Sequence, residues 1–132
     1  MLPITTLFAG FLTLYYVRLA LAVIRLRKSQ QVSLGAGGNS DLEVAIRVHG
    51  NFAEYVPLGL ILLGLLEFHS AQPVVVAVLG CTLVLGRFYH AQGLRLSNIK
   101  NRVRGMGFTF GTLATLAVLN IVFAIKNLSG FN

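Results

Sequence analysis

The sequence has little charge, few acids and a single cysteine. Lys, Arg, Asp and Glu together make up 11% of the 132 residues, and only four residues are acidic. Soluble domains carry about 25% charged residues, so this chain cannot assemble an ordinary water-facing surface. A mean hydropathy of +0.75 and 55% hydrophobic residues point instead to a membrane protein. Cys81 stands alone in an apolar segment. It excludes an intrachain disulfide or a cysteine-built metal cluster, and its expected role is an inert, buried thiol. The chain shows no internal repeat or low-complexity segment, and the first apolar run lacks a basic leading segment and is long enough to remain as a membrane helix, so no cleavable signal is expected.

The net charge of +7 raises the possibility of nucleic acid. The basic residues are interrupted by long apolar runs rather than gathered on a soluble face with stacking aromatics, so no nucleic-acid partner is expected.

What the chain does have is apolar length. A bilayer core takes about 20 mainly apolar residues per helix, and four segments qualify, predicting helices over about residues 2–26, 41–69, 73–95 and 105–126. The expected fold is a single all-α domain, a membrane-spanning four-helix bundle. The glycine-rich turn "SLGAGGNSD" offers Ser40 or Asp41 as a cap for the second helix, and "HSAQP" ends that helix and places Pro73 at the start of the third. "RLSNIKNRVRGMG" reads as a polar loop before the fourth helix. Arg25, Arg27 and Lys28 fall in the first connection, and Arg95, Lys100, Arg102 and Arg104 in the third, whereas the second has no Lys or Arg. Positive charge orients such a bundle with both basic connections cytoplasmic and the two termini on the opposite side.

The second helix carries polar residues into its apolar run. At about 100° per residue, Arg47, Asn51 and Glu54 fall within roughly 60° of one another, with Leu58 and Leu65 continuing the line. His49 points to nearly the opposite side, and Tyr55 flanks the stripe. A charged residue at the centre of a lone membrane helix costs on the order of 3 kcal/mol, and each large apolar residue returns only about 0.3–0.6. The stripe should therefore lie near the cytoplasmic end and face other helices or a wet cavity. An intramembrane ion pair would account for it structurally. A ligand site would also do so, because an acid, a base and an amide together can read a small zwitterion. Arg87 and His90, one turn apart in "GRFYHAQG", reach the same end. The sum is a cationic pocket containing one acid, suited to an anionic ligand that also carries an ammonium. Gly107 and Gly111 form a GxxxG pair for close packing within or between subunits. Asn120 reads as an interhelical hydrogen bonder and Arg18 as a snorkelling charge.

"RVHGNFAEYVP" (residues 47–57) resembles the second-helix signature of the MAPEG family, the membrane-associated proteins of eicosanoid and glutathione metabolism. "IRLRK" in the first helix, "GRFYHAQG" in the third and "NRVRG" opening the fourth fall where that family has its own basic and His or Tyr motifs, so the likeness covers nearly the whole chain in order. The length and bare loops look more like a bacterial member, located in the inner membrane. The resemblance implies a homotrimer binding glutathione between neighbouring subunits on the cytoplasmic side. It implies that Arg47, Asn51, Glu54 and Tyr55 bind glutathione, joined by Arg25 or Arg27 and by His90. Arg102 matches the arginine that stabilises the glutathione thiolate, with Arg104 in reserve. Leu94 stands where several members place a second tyrosine, which removes or replaces one contact. The implied activity is that of a glutathione transferase or peroxidase acting on lipophilic electrophiles or lipid hydroperoxides. The alternative is a non-catalytic scaffold that binds lipid or glutathione. A small drug exporter fits less well, because such proteins carry a glutamate in the first helix, where this chain has Arg18 and no acid.

Overall fold

The computed structural model describes residues 1–69 and 71–130. It contains four helices, α1 (Pro3–Gln30), α2 (Ser40–Phe68), α3 (Pro73–Arg95) and α4 (Ile99–Ser129). Each is long and apolar enough to cross a bilayer, which makes this an integral membrane protein built as an all-α four-helix bundle. The second helix packs against all three others, whereas α1 and α4 do not pack on one another.

The helix ends explain where the chain turns. At the end of α1, Gln31 is left-handed (φ 54°), and the Val32 amide donates to the Arg27 carbonyl at 3.1 Å, a closure that satisfies the last carbonyls of the helix. The turn is further held by Arg27, whose guanidinium donates to the carbonyls of Ser33 at 3.3 Å and Gly35 at 3.0 Å. Asn39 then caps α2, accepting from the Leu42 amide at 2.8 Å. The turn after α3 repeats the device with Ser97 left-handed and Asn98 accepting from the Asn101 amide at 3.1 Å. At the other membrane end, Pro3 opens α1. There the Glu67 carboxylate accepts from the amides of Ile4 at 2.9 Å and Thr5 at 2.7 Å, so the end of α2 caps the start of α1.

Several expectations are corrected. Arg25, Arg27 and Lys28 lie on α1, and Lys100, Arg102 and Arg104 on α4, because the connection between α3 and α4 is only Leu96 to Asn98. The α4 helix starts six residues earlier than predicted and ends three later, since "NIKNRVRG" has no proline to stop it and Asn98 caps it. Asn39, not Ser40 or Asp41, caps α2. Cys81 is exposed on the outer surface rather than buried. Gly107 and Gly111 have open space before them, so they seat no helix within the chain. Asn120 does bridge helices, donating to the Leu62 carbonyl at 2.9 Å. Ser70 of the "HSAQP" turn lies outside the described residues.

The core is small. One cluster centres on Leu12, Leu19, Phe52 and Leu83, and another on Leu63, Leu66, Val76 and Leu116. Large apolar side chains such as Phe11, Leu14, Ile61, Phe110 and Ile121 point outward, as expected where the solvent is lipid.

Candidate functional site

The polar stripe of α2 lies on the outside of the protomer. Arg47 and Glu54 are exposed, and Asn51 and Tyr55 half-buried, while Leu58 and Leu65 continue the face, about half exposed. His49 turns the other way and lies against Tyr16 of α1, with ring centroids 4.8 Å apart. Among the described residues no Lys or Arg nitrogen lies within 4.0 Å of an Asp or Glu oxygen, so no ion pair within the protomer accounts for the stripe. An acid and a base presented outward from a membrane helix require a partner other than lipid tails.

Directly behind the stripe lies Arg87, only 2% exposed. Its Nε donates to Thr109 Oγ1 at 3.0 Å and its Nη2 donates to the same oxygen. Its Nη1 donates to the Asn51 carbonyl at 3.3 Å, and its guanidinium carbon is 5.2 Å from the Tyr55 ring centroid. Thr109 is saturated, because its hydroxyl also donates to the Gly105 carbonyl at 2.8 Å. Arg87 therefore ties α3 to both α2 and α4, with its donors engaged by the protein beneath the stripe. His90, 4% exposed, is turned into the contact between α3 and α4 with Nδ1 3.4 Å from the Arg102 carbonyl.

Glycines let these two helices touch backbone to backbone. A methyl group at Gly93 would stand 2.8 Å from the Arg102 Cα, one at Gly105 would stand 2.7 Å from the Gly86 carbonyl oxygen, and one at Gly86 would stand 2.8 Å from Thr109 Oγ1. The glycines of "GRFYHAQG" and "NRVRG" thus hold the backbone that carries Arg102, a role not seen in the sequence.

Arg102 and Arg104 part company on α4. Arg102 lines an open groove of about 510 Å³ with Ile99, Val103, Met106, Gly107 and Phe110, and Arg104, although exposed, is not in its walls. The groove adjoins the stripe, because the Phe110 and Tyr55 rings form a T-shaped pair with centroids 5.6 Å apart and Met106 Sδ accepts from Arg87 Nη2 at 3.6 Å. Tyr55 thereby borders the Phe110 end of this groove, with Arg102 eight residues, about 12 Å, away along α4. Arg25 and Arg27 lie at the α1 end, Arg27 engaged by its turn and Arg25 lining a separate cavity with Arg18 and Arg95. Leu94 packs against the core and borders that same cavity.

A second, apolar crevice of about 340 Å³ opens between α1 and α2, lined by Thr13, Tyr16, Phe52, Ala53, Pro57 and others. Pro57 lacks an amide hydrogen, so the Ala53 carbonyl loses its helical partner beside this crevice.

This arrangement of arginine, asparagine, glutamate and tyrosine on the second membrane helix can be compared with known proteins. The MAPEG family model matches residues 5–124. The chain belongs to the MAPEG family. Among its relatives, the inner membrane protein YecN of Escherichia coli K12 is 32% identical over 118 residues, covering 89% of this chain and 90% of YecN. The uncharacterized protein sll1147 of Synechocystis is 31% identical over 131 residues, covering 95% and 93%. This MAPEG protein is thus a membrane protein of the glutathione and eicosanoid family with bacterial relatives. Its site also includes residues the sequence did not single out, namely Thr109, Met106 and Phe110. Their signal was available only as a weak one, the four-residue step from Gly105 to Thr109 on a face that has to meet α3.

Proposed function

We propose that this protein is a glutathione-dependent membrane transferase or peroxidase acting on lipophilic electrophiles or lipid hydroperoxides. The reading rests on one observation above all. Arg47, Asn51 and Glu54 face outward from a membrane helix, beside a groove containing Arg102, with no ion-pair partner among the described residues. A second copy of the chain covering this face would complete a polar site, which supports the homotrimer typical of the family.

Within that site Glu54 takes the γ-glutamyl ammonium of glutathione, Arg47 and the Arg25 of a neighbouring copy take its carboxylates, and Asn51 and Tyr55 orient its backbone. Arg102 faces the sulfur. A thiol attacks only as thiolate, with an unperturbed pKa near 8.5. Lowering that by about two takes roughly 2.7 kcal/mol, and a unit charge about 4 Å away at an effective dielectric of about 20 supplies on the order of 4. One arginine is sufficient. In conjugation the thiolate sulfur bonds to the electrophilic carbon and the leaving group departs with its electron pair. With a hydroperoxide the sulfur takes the distal oxygen, the O–O bond breaks, and an alcohol forms after protonation. The resulting sulfenate condenses with a second glutathione to give the disulfide and water. The apolar crevice along Thr13 and Pro57 provides a route from the membrane. The relative named an inner membrane protein supports the inner membrane as the location, with the Arg25 and Arg102 end facing the cytoplasm.

The test is a glutathione titration of the protein in detergent, following thiolate absorbance and binding heat together. Binding with thiolate that vanishes in Arg102→Ala supports the enzyme. Binding without thiolate in wild type points to a glutathione-binding scaffold, and absence of binding sinks both readings.

A further inference from the structure

The basic end of the bundle holds a second polar cavity. Arg18, Arg25 and Arg95 line a space of about 530 Å³ between the first three helices, together with Ser40, Asp41 and Ser97. Three guanidinium charges face the single carboxylate of Asp41, so the cavity carries an excess of positive charge. Among the described residues none of the three arginines has an ion-pair partner. Ala22 of α1 and Ala45 of α2 form part of the wall, and their small side chains leave room between the arginines.

Arg18 is the informative member. It lies seven residues before Arg25 on α1, about 10 Å deeper along the helix. An arginine at that depth reaches for an interface or an anion. Here Arg18 and Arg95 also border an adjoining cavity of about 360 Å³, lined by Tyr15, Phe88, Gln92 and Leu96. One shared pair of arginines therefore joins a cationic compartment to one with aromatic and aliphatic walls.

We propose that this joined cavity binds an anionic phospholipid, with the phosphodiester held by Arg18 and Arg95 and the glycerol and upper acyl chain lying along Tyr15 and Phe88. The shared chemistry is a phosphate oxygen accepting from guanidinium donors. A free phosphate would satisfy the arginines but leave the aromatic compartment empty, so the lipid is the occupant that uses both halves. The cationic half shares Arg25 and the Leu94 wall with the glutathione reading, but the two arginines proposed to hold the phosphate, Arg18 and Arg95, have no role there. Arg25, which does, is left out of the test.

The experiment uses the full chain in neutral detergent and follows retained lipid by native mass spectrometry during titration with phosphatidylglycerol or phosphatidylcholine. Wild type is expected to hold phosphatidylglycerol about tenfold more tightly. Arg18→Gln and Arg95→Gln each should weaken it about fivefold, as expected for loss of one charge near a lipid phosphate, while Arg18→Lys keeps most of the binding. Lys28→Gln, which removes a charge from the same end but not from the cavity, should change nothing. Arg95 is exposed at the end of α3, so its variant reports even if Arg18→Gln fails to fold. Equal retention of the two lipids overturns the proposal, as does unchanged binding in Arg95→Gln. Displacement of the lipid by millimolar inorganic phosphate assigns the site to free phosphate and overturns the lipid. Displacement by glutathione makes the cavity part of the glutathione site and does the same.

Discussion

Gly93 and Arg102 pack backbone to backbone, and a methyl group on Gly93 would stand 2.8 Å from the Arg102 Cα. The position of the arginine proposed to hold the thiolate is therefore set by a glycine on the neighbouring helix. Gly93→Ala should push α3 and α4 apart at a cost of about 1–3 kcal/mol. A lowered Tm together with weaker thiolate absorbance on glutathione addition is expected. An unchanged Tm would mean that the contact relaxes without effort.

Arg102 and Arg104 separate cleanly in the structure, with only Arg102 in the groove beside Phe110. Arg102→Ala should abolish thiolate formation, and Arg104→Ala should leave it within about twofold of wild type. The ultraviolet titration distinguishes them, and the reverse order would move the thiol to the other side of α4.

Arg87 is a positioning residue. Its donors reach Thr109, the Asn51 carbonyl and Met106, so truncation leaves buried acceptors unpaired. Arg87→Ala should cost about 2–4 kcal/mol. Arg87→Lys should recover little, because an ammonium cannot span three partners in a plane. Thermal unfolding in detergent gives the stability. A glutathione Kd measured on folded Arg87→Lys should rise because Asn51 and Tyr55 lose their support, and an unaltered Kd would confine Arg87 to folding.

Glu67 holds the start of α1 through two amide hydrogen bonds. Glu67→Ala should cost about 1 kcal/mol, the usual worth of a lost N-terminal cap, and should accelerate amide exchange at Ile4 and Thr5. The proposed glutathione site, at the opposite end of the bundle, should be untouched. Slow exchange at those amides in the variant would show that α1 starts without help.

The apolar crevice between α1 and α2 is lined by Thr13 on one side and Pro57 on the other. Thr13→Phe should fill much of its volume. The expected result is a KM for a lipophilic electrophile raised about tenfold, equivalent to about 1.4 kcal/mol, with glutathione affinity unchanged. An unaltered KM would place substrate entry elsewhere.

The stripe on α2 was legible because helical periodicity is local. Arg47, Asn51 and Glu54 share a face at any packing of the bundle. What lay behind them was not legible. Arg87 and His90 looked like further ligands for an anion, since the sequence records a buried guanidinium and a solvent-facing one in the same letters. The structure puts Arg87 under the stripe because Thr109, 22 residues later, supplies the acceptor that meets it. The basic connections are also shorter than their composition suggests. Arg25 to Lys28 and Lys100 to Arg104 are polar enough to read as loops, yet α1 continues through Arg25 to Lys28 and Asn98 caps α4 early enough to make Lys100 to Arg104 helical.

The sequence by itself determined the number of helices, their approximate spans, the membrane as solvent and the polar face of α2, because hydropathy and the 3.6-residue period act over neighbouring residues. The tertiary structure alone decided that this face looks outward, that Arg102 rather than Arg104 lines the α4 groove, that Glu67 caps α1, and that Arg18 meets Arg95 in one cavity. Those outcomes depend on which helix faces which and how closely glycines let their backbones approach, and such contacts join residues tens of positions apart.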